Sequence, residues 1–142
     1  MTINIKNQKP ILVEEGASEL VFETLQFFRK QGEIALHAFV IMPDHVHLLI
    51  TLREDVLLSD FVRRFKSYVA RNLEKGPLWV KGCWSKVVSD TKGLRDTSAY
   101  IHNNPVKALL AHEPQEYVWS SARDYLQESS LRVDFWWGDA AR

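Results

Sequence analysis

The spacing of apolar residues changes several times along the chain, and each change marks a new element. Thr2-Ile3-Asn4-Ile5-Lys6 alternates polar and apolar side chains, the period of a short strand, and Asn7-Gln8-Lys9-Pro10 reads as a turn. From Glu14 to Gly32 the period lengthens: Leu20, Val21, Leu25 and Phe28 recur at helical spacing and Gly32 supplies the stop. Ile34 to Met42 and His45 to Leu52 are runs of strand formers separated by Pro43-Asp44, which predicts an antiparallel hairpin. Ser59-Asp60 opens a second helix whose stripe of Phe61, Val62, Phe65, Tyr68, Val69 and Leu73 runs up to Gly76-Pro77. Cys83 to Ser89 predicts a fourth strand. Asp90-Thr91 starts a third helix expected to end at Asn103 or Asn104, because a residue before proline is biased away from helical dihedrals. The order β-α-β-β-α-β, then a helix, is that of an α+β, ferredoxin-like split βαβ with an antiparallel sheet and helices on one face. Ala111 to Arg142 contains Trp119, Trp136 and Trp137 and follows no period.

Length and composition narrow the class. A chain of 142 residues with 46% hydrophobic side chains predicts one domain over 1–142. The single cysteine, Cys83, cannot close an intrachain disulfide, and the N-terminus has no apolar run that reads as a signal peptide. No apolar stretch approaches the roughly 20 residues needed to cross a bilayer. The expected setting is therefore the cytoplasm, with no membrane partner. Net charge is zero, which argues mildly against a polyanionic partner, but the distribution is uneven: residues 1–59 sum to −3, residues 60–95 to +6 and residues 96–142 to −3. A basic middle segment can present one positive face, or scatter its charge over a solvated helix.

Several residues are candidates for chemistry. In a strand, His45 and His47 project from one face while Val46 points to the other, so the imidazoles either join in holding a divalent ion or are satisfied strand histidines. Tyr100 and Asn104 are four apart and share a helix face; they could approach one ion or phosphate, or Tyr100 could pack in the core with Asn104 capping the helix. Tyr68 is a rival nucleophile, but its place on the stripe of its helix favours the core. His37 and His102 are secondary, and Asp44 reads first as a turn residue and second as a partner orienting a ligating histidine. Arg63, Arg64, Lys66 and Arg71, with Lys75, Lys81 and Lys86, are the candidate phosphate contacts. Trp79 or Trp84 could stack on an unpaired base, although packing is the readier reading of both.

Two longer strings carry a resemblance. Phe39-Val40-Ile41-Met42-Pro43-Asp44-His45-Val46-His47-Leu48-Leu49 resembles the signature of the single-tyrosine HUH (IS200-like) transposases, especially the REP-associated tyrosine transposases of bacteria. Tyr100-Ile101-His102-Asn103-Asn104-Pro105-Val106-Lys107-Ala108 looks like that group's tyrosine motif. Phe65-Lys66-Ser67-Tyr68, Leu78-Trp79 and Trp119-Ser120-Ser121 follow in the expected order, so the likeness spans about residues 2–126 and leaves a tryptophan-containing C-terminal tail.

The resemblance implies a metal-dependent transposase and endonuclease of single-stranded DNA, carrying a hairpin, that cuts and rejoins through a 5′-phosphotyrosine. It makes Tyr100 the nucleophile and His45, His47 and Asn104 the metal ligands. An amide oxygen suits Mg²⁺ or Mn²⁺, and paired imidazoles would also accept Zn²⁺; positions left open for phosphate oxygens favour Mg²⁺ or Mn²⁺. The proline after Asn104 weakens the expected reach of that amide. Leu109 stands where the family commonly has glycine. A catalytically silent, domesticated nucleic-acid-binding module is the alternative, and the resemblance leaves monomer and homodimer both open.

Overall fold

A computed structural model describes residues 1–138 and contains a three-stranded antiparallel sheet with helices on both faces. Strand β1 (Thr2–Asn4) is followed by α1 (Ala17–Lys30), the hairpin β2 (Ile34–Ile41) and β3 (His45–Leu52), α2 (Leu58–Asn72), α3 (Thr91–Lys107) and the short α4 (Ala122–Gln127). The sheet order is β1-β3-β2, so the histidine-bearing strand is central.

Strand alternation divides the sheet into two faces. Ile3, Phe39, Ile41, Val46 and Leu48 pack with Val21, Leu25 and Phe28 of α1 and with Phe61, Phe65 and Val69 of α2. Ala38, Val40, Met42 and Leu49 face the other way, toward Ile101 of α3. Thus α1 and α2 cover one face, as the split βαβ plan requires, and α3 lies across the other. A β-bulge at His37 lets β2 keep buried side chains on both sides of the irregularity.

The expected fourth strand, Cys83–Ser89, is not a regular strand. The position beside β1 is taken by isolated pairings instead: Thr2 and Trp84 exchange both backbone hydrogen bonds (2.8 and 3.0 Å), Val80 N–H reaches Asn4 O (2.8 Å) and Lys6 N–H reaches Leu78 O (2.9 Å). The cause is local. β1 offers only three residues, and Gly82 adopts a positive φ of 75° that breaks the extended run.

The unpatterned tail closes the opposite edge. Outward-facing backbone groups of β2 are met one by one: Ile41 N–H by Trp119 O (2.8 Å), Phe39 O by Ser121 N–H (3.0 Å), Leu36 O by Asp134 N–H (2.7 Å). The hydroxyls of Tyr117 and Tyr125 donate to Ile41 O and His37 O (2.7 and 2.6 Å). An ion pair between Arg29 and Asp134 (2.9 Å) ties the tail to α1, and Val133 and Phe135 are buried in the main core. The core therefore extends past residue 126. Among the described residues, no helix is long and apolar enough to cross a membrane.

Helix ends depart from expectation at two places. α2 begins at Leu58 with Leu57 in the capping position, so Ser59 lies in the first turn and gives no side-chain cap. α3 begins as expected, with the Asp90 carboxylate accepting from Gly93 N–H (2.7 Å), but continues through Pro105 to Lys107. Proline withholds one N–H from the carbonyl a turn earlier. Buried packing of α3 on the sheet outweighs that loss.

Candidate active site

His45 and His47 point from β3 to the α3 side of the sheet, with ring centroids 4.6 Å apart. Each imidazole is held at Nδ1. His45 Nδ1–H donates to the Asp44 carboxylate (2.6 Å), and His47 Nδ1 shares a hydrogen bond with the Thr2 hydroxyl (2.8 Å). Thr2 is there because it faces His47 directly across the β1–β3 ladder. Asp44 thus does what its second reading described, orienting a histidine, rather than serving only as a turn residue.

α3 supplies the facing groups. Asn104 Nδ2 donates toward His47 Nε2 (3.2 Å), and the Tyr100 ring stands edge-on to His47 with centroids 5.6 Å apart. Because α3 runs on through Pro105, Asn104 keeps its helical place one turn after Tyr100, from which its amide nitrogen reaches His47. Tyr100 is 56% exposed whereas His47 is 8% exposed, so the phenol opens to solvent above a sheltered imidazole. Burial, reinforced by the neighbouring His45, lowers the His47 pKa to about 4. His47 is therefore neutral near pH 7, with its proton directed to Thr2 and an Nε2 lone pair directed into the site.

This donor set fits a divalent cation: two imidazoles whose Nδ1 atoms are already engaged, and an amide. Among the described residues no group of three or more His, Cys, Asp or Glu side chains is placed to hold an ion.

Tyr100, His47 and Thr2 line a cleft of about 580 Å³ together with Asn4, Trp84 and Lys86. Lys86 is the one sequence-selected basic residue on that lining. Lys66 is committed elsewhere, its ammonium donating to Val80 O (2.7 Å) and Gly82 O, with its pKa lowered by burial. Arg64 pairs with Glu33 (2.7 Å) and lies over the Phe28 ring, and Lys75 pairs with Glu14 (3.2 Å). Arg63 pairs loosely with Asp60 (3.6 Å), Arg71 reaches Ser67 (3.5 Å), and Lys81 is exposed.

The remaining candidates separate cleanly. Tyr68, expected in the core, is 49% exposed at the flank of α2, beside Phe27 of α1; the apolar stripe is wider than the surface α1 can cover. Trp79 is buried against Phe65, its indole N–H donating to Lys66 O (3.0 Å), but Trp84 is 62% exposed. His37 is held between Asp134 O (2.5 Å) and the Thr51 hydroxyl (2.7 Å). His102 is buried on the far side of α3 against Ser121 (2.7 Å). Thr2 is the residue the sequence reading missed; its place opposite His47 depends on a register that only pairing reveals.

Paired histidines of the central strand stand opposite a tyrosine and an amide of α3, the arrangement that the resemblance to tyrosine transposases implied. The sequence signature described as Transposase IS200 like matches residues 1–104, and the chain belongs to that family. It is 24% identical over 139 residues to the REP-associated tyrosine transposase of Escherichia coli, covering 97% of this chain and 83% of that one. A structure of a REP-associated tyrosine transposase bound to a REP hairpin superposes with a TM-score of 0.79 at 22% identity, over 97% of this chain and 88% of the other. A crystal structure of a transposase-like protein from Deinococcus radiodurans matches with a TM-score of 0.52 at 26% identity, covering 72% and 85% of the two chains.

Proposed function

We propose that this transposase cleaves and rejoins single-stranded DNA next to a hairpin, with Tyr100 as nucleophile and His45, His47 and Asn104 as ligands of Mg²⁺ or Mn²⁺. The observation that carries the reading is the convergence of Tyr100 and Asn104, one turn apart on α3, upon His47 of β3. The relative solved with a REP hairpin supports a hairpin-bearing substrate.

In the cutting step the Tyr100 phenolic oxygen attacks the scissile phosphorus and gives up its proton. The bond to the 3′-oxygen breaks, that oxygen takes a proton, and a 5′-phosphotyrosine and a free 3′-hydroxyl result. The phosphodiester energy is kept in the covalent link, so attack by a 3′-hydroxyl on the phosphotyrosine reverses the step and joins a new strand. A free phenol titrates near pH 10. A divalent cation held by His45, His47 and Asn104 would supply the help the phenol needs, by polarising the phosphoryl group and offsetting its developing charge. Exposure of Tyr100 lets a phosphate approach, and Thr2 and Asp44 keep the imidazoles turned toward it. Lys86 supplies a positive charge in the cleft, while Arg63, Arg71 and Lys81, exposed at the surface, would meet the flanking backbone.

The test is incubation of labelled hairpin oligonucleotides with the protein and Mg²⁺ or Mn²⁺, followed by denaturing electrophoresis. A protein–DNA adduct formed by the native chain and lost in Tyr100→Phe is expected. An adduct that survives the substitution moves the nucleophile elsewhere, and tight salt-sensitive binding without any adduct favours the silent binding module.

A further inference from the structure

The row of residues that crosses the sheet through His47 ends on an exposed tryptophan. Val40 pairs with His47, His47 with Thr2 and Thr2 with Trp84. Directly opposed residues of antiparallel strands share a face, so the Trp84 indole stands on the same side of the sheet as the histidines. Strands are spaced about 5 Å apart, which sets Trp84 roughly 10 Å from His47 along the row. The Tyr100 ring rises from α3 over the same cleft.

We infer that Trp84 is a stacking platform for one unpaired base beside the phosphate addressed by Tyr100, with Lys86 meeting the adjoining backbone. The inference rests on reading the cleft as a single-stranded DNA site. Three features support it. The indole is 62% exposed inside a cleft, where an apolar ring gains by being covered. Its backbone is fixed, because its N–H and carbonyl both pair with Thr2 (3.0 and 2.8 Å); a platform that is already ordered loses little freedom when a base lands on it. Finally, Trp79 on the same edge segment is buried, with its indole N–H bonded to Lys66 O (3.0 Å), so the segment is anchored to the fold and the exposure of Trp84 does not come from its detachment.

Stacking accepts any base, because every base offers a π-face. The platform therefore selects unpaired over paired nucleotides more than it selects sequence: a base inside a duplex has both faces covered. Trp84 would place the boundary between hairpin stem and single strand with respect to Tyr100.

The experiment measures equilibrium binding of hairpin oligonucleotides with unpaired flanks, stepping one abasic position along the flank, for native protein, Trp84→Ala and Trp84→Phe. Native protein should lose roughly 5- to 150-fold in affinity at one abasic position. Trp84→Ala should lose a similar factor on the intact flank and show no further loss at that position, and Trp84→Phe should retain most of the affinity. Equal binding by native protein and Trp84→Ala, or an abasic penalty unchanged in the variant, overturns the inference. If that happens while the Tyr100-dependent adduct persists, the nuclease reading stands without the platform. Failure of native protein to bind any single-stranded flank overturns both.

Discussion

Asn104 Nδ2 lies 3.2 Å from His47 Nε2, joining α3 to the central strand. The amide is therefore not a helix cap. Asn104→Ala should weaken Mn²⁺ binding on the order of 10-fold or more, and Asn104→Asp should strengthen it by adding charge to the donor set. Calorimetric titration with Mn²⁺ in the absence of DNA checks both; native-like titration of Asn104→Ala removes the residue from the ligand set.

Thr2 and Asp44 act on the imidazoles rather than on substrate. Asp44→Ala and Thr2→Val should each lower Mn²⁺ affinity by roughly 10- to 100-fold, because the ring they release can rotate or change tautomer. Thermal denaturation of the metal-free proteins separates this from a folding defect. A melting temperature close to the native value is expected, since Thr2 lines the cleft and the Asp44 side chain is partly exposed.

His102 couples stability to pH. Burial lowers its pKa to about 4, from an ordinary value of 6.5. The folded state thus favours the neutral ring: its contribution is fully present above pH 6.5 and is lost as pH falls toward 4. The difference amounts to roughly 3 kcal/mol. Urea unfolding at several pH values should show His102→Gln losing less stability than native protein between pH 7 and 4; parallel curves would mean that the ring does not carry this dependence.

Leu109 ends α3 at a positive φ of 63°, and Leu110 N–H closes the turn on Pro105 O (2.8 Å). This is the left-handed position where glycine is the ordinary choice. The turn forms despite the departure from the family pattern, with strain stored at an L-residue. Because Leu109 is 91% exposed, Leu109→Gly sacrifices little packing and should stabilise the protein by up to about 1 kcal/mol. A rise of a few degrees in melting temperature is the expected sign.

Phe135 lies well beyond the family signature yet is only 4% exposed. Phe135→Ala should cost about 3–5 kcal/mol. Chemical denaturation monitored by tryptophan fluorescence tests this; a change below about 1 kcal/mol would mean that the tail is a separable appendage.

The hairpin, the first helices and the histidine pair were legible because their signals are local: alternation, a helical period, and two histidines two residues apart. Other features depended on pairing across the chain. Thr2 becomes a partner of His47 only through strand register, and Trp84 becomes an edge residue only because β1 is too short to extend a ladder. The preproline rule wrongly ended α3 at Asn103 or Asn104, since it weighs one dihedral preference against nothing, whereas the helix is held by packing on the sheet. Tyr68 sat on an apolar stripe broader than its partner helix could bury. The tail hid its role because it satisfies β2 with scattered hydroxyls, carbonyls and one carboxylate, an arrangement without a period.

The irregular segments on either side of the sheet have a consequence for how copies of this protein meet. An edge strand with free N–H and C=O groups is a template on which another chain can polymerise. Here the outward groups of β1 and β2 are answered by Leu78–Trp84 on one side and Tyr117–Asp134 on the other. Their broken spacing prevents either segment from becoming a new straight edge. In the folded state a second copy drawn onto the same nucleic acid therefore meets few unpaired backbone groups at either flank of the sheet on which to add a strand.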